Sequence, residues 1–325
     1  GRHPRPAACE RGPGRAVPAD TLVDLLNFFS DFIRGRTAYY LNSNVIKPIT
    51  STLKLSFAEV AGPVPVMFFV SHCWGAPFEH LVTAIRSHAQ DTSKDKWGVV
   101  AYWVCLLSNN QWDVAAEVGN GNWQDWSFYK ALRSGTCRGT CMVLDEAASA
   151  LTRSWCLFEA LRTYGLEGAG RDSDAAPFQG LVFCAGAGVL GRGACLDAAA
   201  ALARQLEALS VADAGAAEKD DQALIMRLVH EEDGGAEHAT ASLGRSMRRT
   251  LRRQHGQVDA ELASLRRALF DDGSAPGPSV LGQVGGELAS PQEPPPGGAD
   301  PRWPAGEAEA DNVLEVDGGL GKLRL

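Results

Sequence analysis

Val66-Met67-Phe68-Phe69-Val70 runs straight into Ser71-His72-Cys73-Trp74-Gly75, and Thr140-Cys141-Met142-Val143-Leu144 runs into Asp145-Glu146. Both apolar runs are short and rich in β-formers. Each is followed by polar residues and then by a helical pattern, which is how strands buried on both faces of a parallel sheet read. Two further runs, at 99–107 and 180–184, have the same character. Helical periodicity follows each of the four: residues 77–90, with Phe78, Leu81, Val82 and Ile85 inward; 124–134; 151–164; and 196–209. Four β-α units in series predict a parallel sheet with helices on both faces. Ligands in such sheets sit outside the carboxyl ends of the strands. Ser71, His72, Ser108, Asp145 and Glu146 all fall at that edge.

The flanks read differently. Residues 1–18 are rich in Pro, Gly and Arg and carry no apolar period, and 271–325 contain Pro294-Pro295-Pro296 with many Gly and Ala. Too little apolar surface is on offer there to offset chain entropy, so both ends are expected to lack structure. A helical flank is expected over 19–60. In it Asp20 would cap a helix from Thr21 to Gly35, Val45-Ile46-Lys47-Pro48 would be extended because the residue before Pro avoids the helix, and a second helix would cover 50–60. The α/β domain then occupies 61–190. A helical extension follows over 191–270, with separate helices at 221–229, 239–254 and 257–270.

The 325 residues carry a formal charge of −8 and a pI near 5.4, which argues against general attraction to nucleic acid. Arg245, Arg248, Arg249, Arg252 and Arg253 form a local basic stretch. It would be a solvated helix face, or a contact for an anionic partner or membrane surface. No run reaches the ~20 apolar residues of a membrane helix. The chain opens on Gly1, as a fragment or processed product would. Of eight cysteines, Cys105, Cys141, Cys156 and Cys184 lie in apolar runs, where free Cys acts as a small hydrophobe; a reducing, cytoplasmic setting is expected. Cys137 and Cys141 have a CxxxC spacing, but a strand from 140 places them poorly for one metal, and none is expected.

Three constellations could carry chemistry. His72 ends a strand and could serve as acid, base or ligand, or could tie loops together with Ser71 while Trp74 closes the core. Asn109-Asn110-Gln111-Trp112 could hold a nucleotide or sugar by amide hydrogen bonds and stacking, or could simply turn the chain. Glu159 lies one helical turn after Trp155, on the same helix face. A carboxylate there could stabilise an oxocarbenium ion in a glycosidic cleavage, or pair with Arg153 or Arg162 at the surface. A Cys/His protease pair is disfavoured, because Cys137 precedes its strand and would lie across the sheet from His72.

Phe69–Gly75, Asn109–Trp112 and Thr152–Glu159 occur in the order of three blocks that resemble the TIR domain family. The likeness is greatest to a TIR-like group with Phe-Val-Ser-His-x-Trp-Gly, Asn-Asn-Gln-Trp and Thr-Arg-x-Trp-Cys-x-x-Glu blocks. It covers roughly 64–185. The resemblance implies a flavodoxin-like parallel sheet and a signalling role with homotypic assembly. For catalytic members it implies cleavage of the nicotinamide–ribose bond of NAD, with Glu159 as the catalytic carboxylate. NAD would then be a substrate, no cofactor being implied. Ser71, His72, Trp74, Asn110, Trp112, Asp145 and Trp155 would line the substrate pocket. Other members act only as adaptors, so a purely non-catalytic assembly module stands beside the hydrolase.

Overall fold

The four expected strands lie side by side and all parallel. In the computed structural model, which describes residues 6–118, 122–168, 177–186, 188–190 and 196–270, they are β2 (Phe68–His72), β3 (Ala101–Val104), β4 (Thr140–Val143) and β5 (Leu181–Ala185). Two-residue antiparallel strands, β1 (Val17–Pro18) and β6 (Gly188–Val189), close the edges, giving the order β1-β3-β2-β4-β5-β6. The chain steps from β2 outward to β3, then returns across β2 to β4 and β5. That is a flavodoxin-like order, and its direction reverses between the carboxyl ends of β2 and β4.

Side chains alternate between two cores. Phe68, Val70, Tyr102, Val104, Cys141, Val143 and Cys184 enter one; Phe69, Trp103, Met142, Leu144, Leu181 and Phe183 enter the other. Burial on both faces explains why each strand reads as an unbroken apolar run rather than an alternating one.

The N-terminal flank covers the first core with α1 (Ala19–Phe28), α2 (Ser30–Ile33), α3 (Ala38–Leu41), α4 (Lys47–Thr50) and α5 (Phe57–Ala61), joined there by α6 (Phe78–Thr92). Past β3 come the short α7 (Cys105–Ser108) and α8 (Val114–Val118). The second core is covered by α9 (Ser127–Leu132), α10 (Ser154–Gly168), α11 (Leu196–Glu207), α12 (Lys219–Glu232) and α13 (Ala236–Phe270). Flank, sheet and extension belong to one unit that runs to Leu265. Among the described residues, no helix is long and apolar enough to cross a membrane.

Several local expectations give way. Residues 6–18 are ordered although they lack an apolar period. The Arg15 guanidinium, 11% exposed, meets Glu59 at 3.2 Å and Glu117 at 2.6 Å, and the Ala7 and Cys9 N–H groups donate to the Glu59 backbone and carboxylate. A buried ion pair does here what apolar burial would not. Asp20 does not cap α1. The helix already starts at Ala19, whose N–H is held by the Val100 carbonyl, and Asp20 sits in its first turn. The helix also breaks at Phe29, short of Gly35. Val45-Ile46-Lys47-Pro48 is helical, not extended. Asn42–Ile46 forms a π-turn in which the Lys47 N–H reaches back to the Asn42 carbonyl, and this wider turn admits Pro48 to the start of α4. Of the helix expected over 50–60, only α5 forms, opened by a Ser56–Glu59 capping box. The run at 99–107 is strand only to Val104. The expected helices at 239–254 and 257–270 are the single α13. Residues 1–5 and 271–325 lie outside the described part.

α13 is anchored by Leu243 and Met247, both fully buried, and by Gln254. The Gln254 side chain accepts from the Phe183 N–H at 3.1 Å and donates to the Phe183 and Leu190 carbonyls, so it completes the backbone pairing of β5. Arg248 and Arg253 donate to the Leu206 and Leu181 carbonyls. Arg245, Arg249 and Arg252 face solvent.

Candidate functional site

Strand alternation divides the residues at the end of β2. Ser71 points to the α10 face and His72 to the α6 face, as their neighbours show. Cys156 and Glu159 of α10 lie beside Ser71, while His72 lines a cavity of about 10 Å³ with Cys73, Phe78, His80, Leu81, Val143 and Asp145. That is room for one water molecule. His72 is buried, neither ring nitrogen has a hydrogen-bond partner, and burial pushes its pKa down to about 4. It is therefore neutral at physiological pH. Asp145, across this cavity, accepts from the Ser149 N–H at 2.7 Å and shapes a turn that passes through Ala148 at φ 52°. Its carboxylate is already committed to the backbone.

Glu159 lies on the other face. It is 8% exposed, and burial pushes its carboxyl up to about 8, with the nearby Ser71 hydroxyl pulling weakly the other way. Ser71 Oγ makes no hydrogen bond of normal geometry. Two thiols, Cys105 and Cys156, lie near this carboxyl. Cys156 donates to the His72 carbonyl at 3.5 Å; burial and the charge of Glu159 raise the Cys156 and Cys105 thiols, Cys105 to about 12. Trp74 bridges the two faces. Its indole N–H donates to Cys105 Sγ at 3.0 Å, its ring stacks 6.5 Å from His72, and Tyr39 meets it edge-on at 5.3 Å. The Tyr39 hydroxyl accepts from Arg153 at 3.3 Å. Tyr39, 40% exposed, and the partly exposed Trp74 and Arg153 thus form one surface cluster that reaches the neighbourhood of Glu159 through Cys105.

The expected site residues therefore separate into groups. Ser71 and Glu159 come together, with Trp74 joined to them through Cys105; His72 and Asp145 share the neighbouring cavity. Asn110, Trp112 and Trp155 have other engagements. Asn110 accepts from the Trp112 N–H and donates to the Lys54 carbonyl; the Trp112 indole donates to Thr50 Oγ1 at 3.0 Å, and Lys54 Nζ lies 3.0 Å above its ring. These contacts fasten the loop after α7 to the N-terminal flank. Trp155 donates to Asp221 of α12 at 3.0 Å and packs on Trp126, tying α10 to the extension. The surface pair imagined for Glu159 does not form either: Arg162 pairs with Asp233, and Arg153 with Tyr39.

Cys105 and Tyr39 were absent from the sequence reading of the site. Cys105 reads as one more apolar strand residue, and Tyr39 lies in the flank with no motif. Among the described residues, the single trio of metal-ligating side chains within mutual reach is on the opposite face of the sheet from Glu159. No protein-family model matches this chain, and no match was found among curated proteins or solved structures.

Proposed function

We propose that this chain is a TIR-like module in which Glu159 cleaves the nicotinamide–ribose bond of NAD. The observation that carries the reading is a buried carboxyl beside Ser71 at the carboxyl edge of the sheet, where the strand order reverses, with Trp74 linked to it through Cys105. Loss of nicotinamide leaves positive charge on the ribose, and water then completes the hydrolysis to ADP-ribose. A carboxylate shielded from solvent stabilises that charge far more than one in water. The raised proton affinity supplies a coupling. With the cationic nicotinamide ring beside it, the carboxyl would release its proton, so ionisation would accompany substrate entry. Trp74 and Tyr39 would offer flat faces to a cationic ring.

The test is nicotinamide release by the purified 325-residue chain. Glu159→Gln should lower the rate about 10²–10³-fold. Equal release by both proteins would refute the assignment.

One observation favours a second reading. The cavity beside His72 has room for a single water molecule and Glu159 is nearly covered, so neither offers a dinucleotide room in the isolated chain. On this reading the module works by homotypic assembly, without chemistry. Release per chain that climbs with protein concentration would support a site completed between copies. Concentration-dependent association with no release at any concentration would support assembly alone.

A further inference from the structure

We propose that His88, Cys141 and Cys184 form a buried binding site for a thiophilic closed-shell cation, zinc in the first instance, that fastens α6 to β4 and β5. The three residues are far apart in sequence, and the fold brings their ligating atoms within 4.8 Å of one another. Cys141 and Cys184 sit on the same face of neighbouring strands, offset by two residues in the register that aligns Cys141 with Val182 and Val143 with Cys184. His88 reaches them from α6.

The geometry is close to what a metal needs. A point central to three atoms no more than 4.8 Å apart is at most about 2.8 Å from each, against Zn–S near 2.3 Å and Zn–N near 2.0–2.1 Å. Rotating the side chains by about half an ångström would close the difference. His88 Nδ1 is 2.8 Å from the Tyr102 hydroxyl, and an edge-on contact with Phe68 also holds the ring. In the tautomer that donates Nδ1–H to Tyr102, the imidazole presents a lone pair on Nε2 for a cation. Orientation by an outer partner of this kind is characteristic of metal-bound histidines.

The chemistry of the donor set selects the cation. Thiolate and imidazole suit zinc and Cu(I), whereas Mg²⁺ and Ca²⁺ require oxygen ligands. All three side chains are nearly inaccessible: His88 is 4%, Cys141 1% and Cys184 0% exposed. Two thiolates cancel the charge of Zn²⁺, so a neutral centre enters the core, while Cu(I) would leave one negative charge behind. Cys137 takes no part, because it packs in the core on the other side of the sheet.

The full chain, produced in zinc-supplemented medium and separately incubated with Zn²⁺, would be freed of excess metal and assayed by elemental analysis and native mass spectrometry. One zinc per chain is expected. Cys141→Ala and Cys184→Ala should each lose it while Cys137→Ala retains it. Zinc should also slow alkylation of Cys141 and Cys184 in the unmutated chain at moderate denaturant, a reading that needs no variant to fold. Absence of zinc from the unmutated chain after both preparations would overturn the proposal. So would equal zinc content in the Cys141 and Cys184 variants, or a disulfide between these two residues in the purified protein.

Discussion

Glu159→Gln should make this protein more stable, and increasingly so as pH rises. The substitution keeps the volume and removes the ionisation. In the folded chain the Glu159 carboxyl is pushed up to about 8 from an ordinary 4.5. The folded state thus holds a proton that the unfolded state has released, and stability falls as pH climbs from about 4.5 to about 8. At about 1.4 kcal/mol per unit, the loss approaches 4–5 kcal/mol once the carboxyl is ionised; any water reaching the 8% of Glu159 still exposed would reduce it. His72 acts in the opposite sense. Its pKa is pushed down to about 4 from 6.5, so the unfolded state binds the extra proton and stability rises from pH 4 to 6.5. The two slopes oppose each other between about 4.5 and 6.5. From 6.5 to 8 only Glu159 of the two still changes charge in the unfolded-to-folded comparison, and it should contribute a loss of about 2 kcal/mol across that window. Denaturant unfolding of both proteins at half-unit steps from pH 5 to 8 would measure this. Taking the difference between variant and parent cancels the other titrating groups. The gap should widen by several kcal/mol from pH 5 to 8, in favour of Gln. A gap that stays constant would refute the reasoning, because Glu159 would then ionise alike in folded and unfolded chains.

Arg15→Ala should cost about 3–5 kcal/mol, since it leaves Glu59 and Glu117 buried without their cation; denaturant midpoints would show it, and a change under 1 kcal/mol would mean the carboxylates find other partners. Gln254→Ala should cost about 1–3 kcal/mol by unpairing backbone groups of β5, and deleting 239–270 should unfold the α/β core, as read by circular dichroism. Replacing Arg245, Arg249 and Arg252 by Gln should shift stability by no more than about 0.5 kcal/mol, so any loss of binding to anionic vesicles would report the surface itself. Asp221→Ala should cost about 1 kcal/mol through the Trp155 hydrogen bond without lowering nicotinamide release; a large drop in release would return Trp155 to the substrate pocket.

The four parallel strands and the edge at which they end were legible in the amino-acid sequence. A strand buried on both faces must be apolar throughout, and the polar residues that stop it must fall at its end, so Phe68–His72 and Thr140–Val143 declare themselves locally. Helices with one apolar stripe, such as α6, declare themselves for the same reason. The ordering of residues 6–18 was not legible, because it depends on Arg15 finding Glu59 and Glu117, and charge pairing across the fold leaves no period in the chain. Nor was the division of the site. Sequence proximity put Ser71 and His72 together, whereas the pleat sends them to opposite faces, one toward Glu159 and the other toward Asp145. Asn110, Trp112 and Trp155 have the composition of ligand-binding residues, and only tertiary packing reveals that Lys54, Thr50 and Asp221 already occupy their polar groups. Conversely, His88, Cys141 and Cys184 look like unrelated core residues until the parallel register sets the two strands side by side. Local sequence determined which segments bury which faces, since burial acts on each segment's own pattern of apolar residues. Which polar groups meet was decided by the fold, since those distances depend on strand order, register and pleat together.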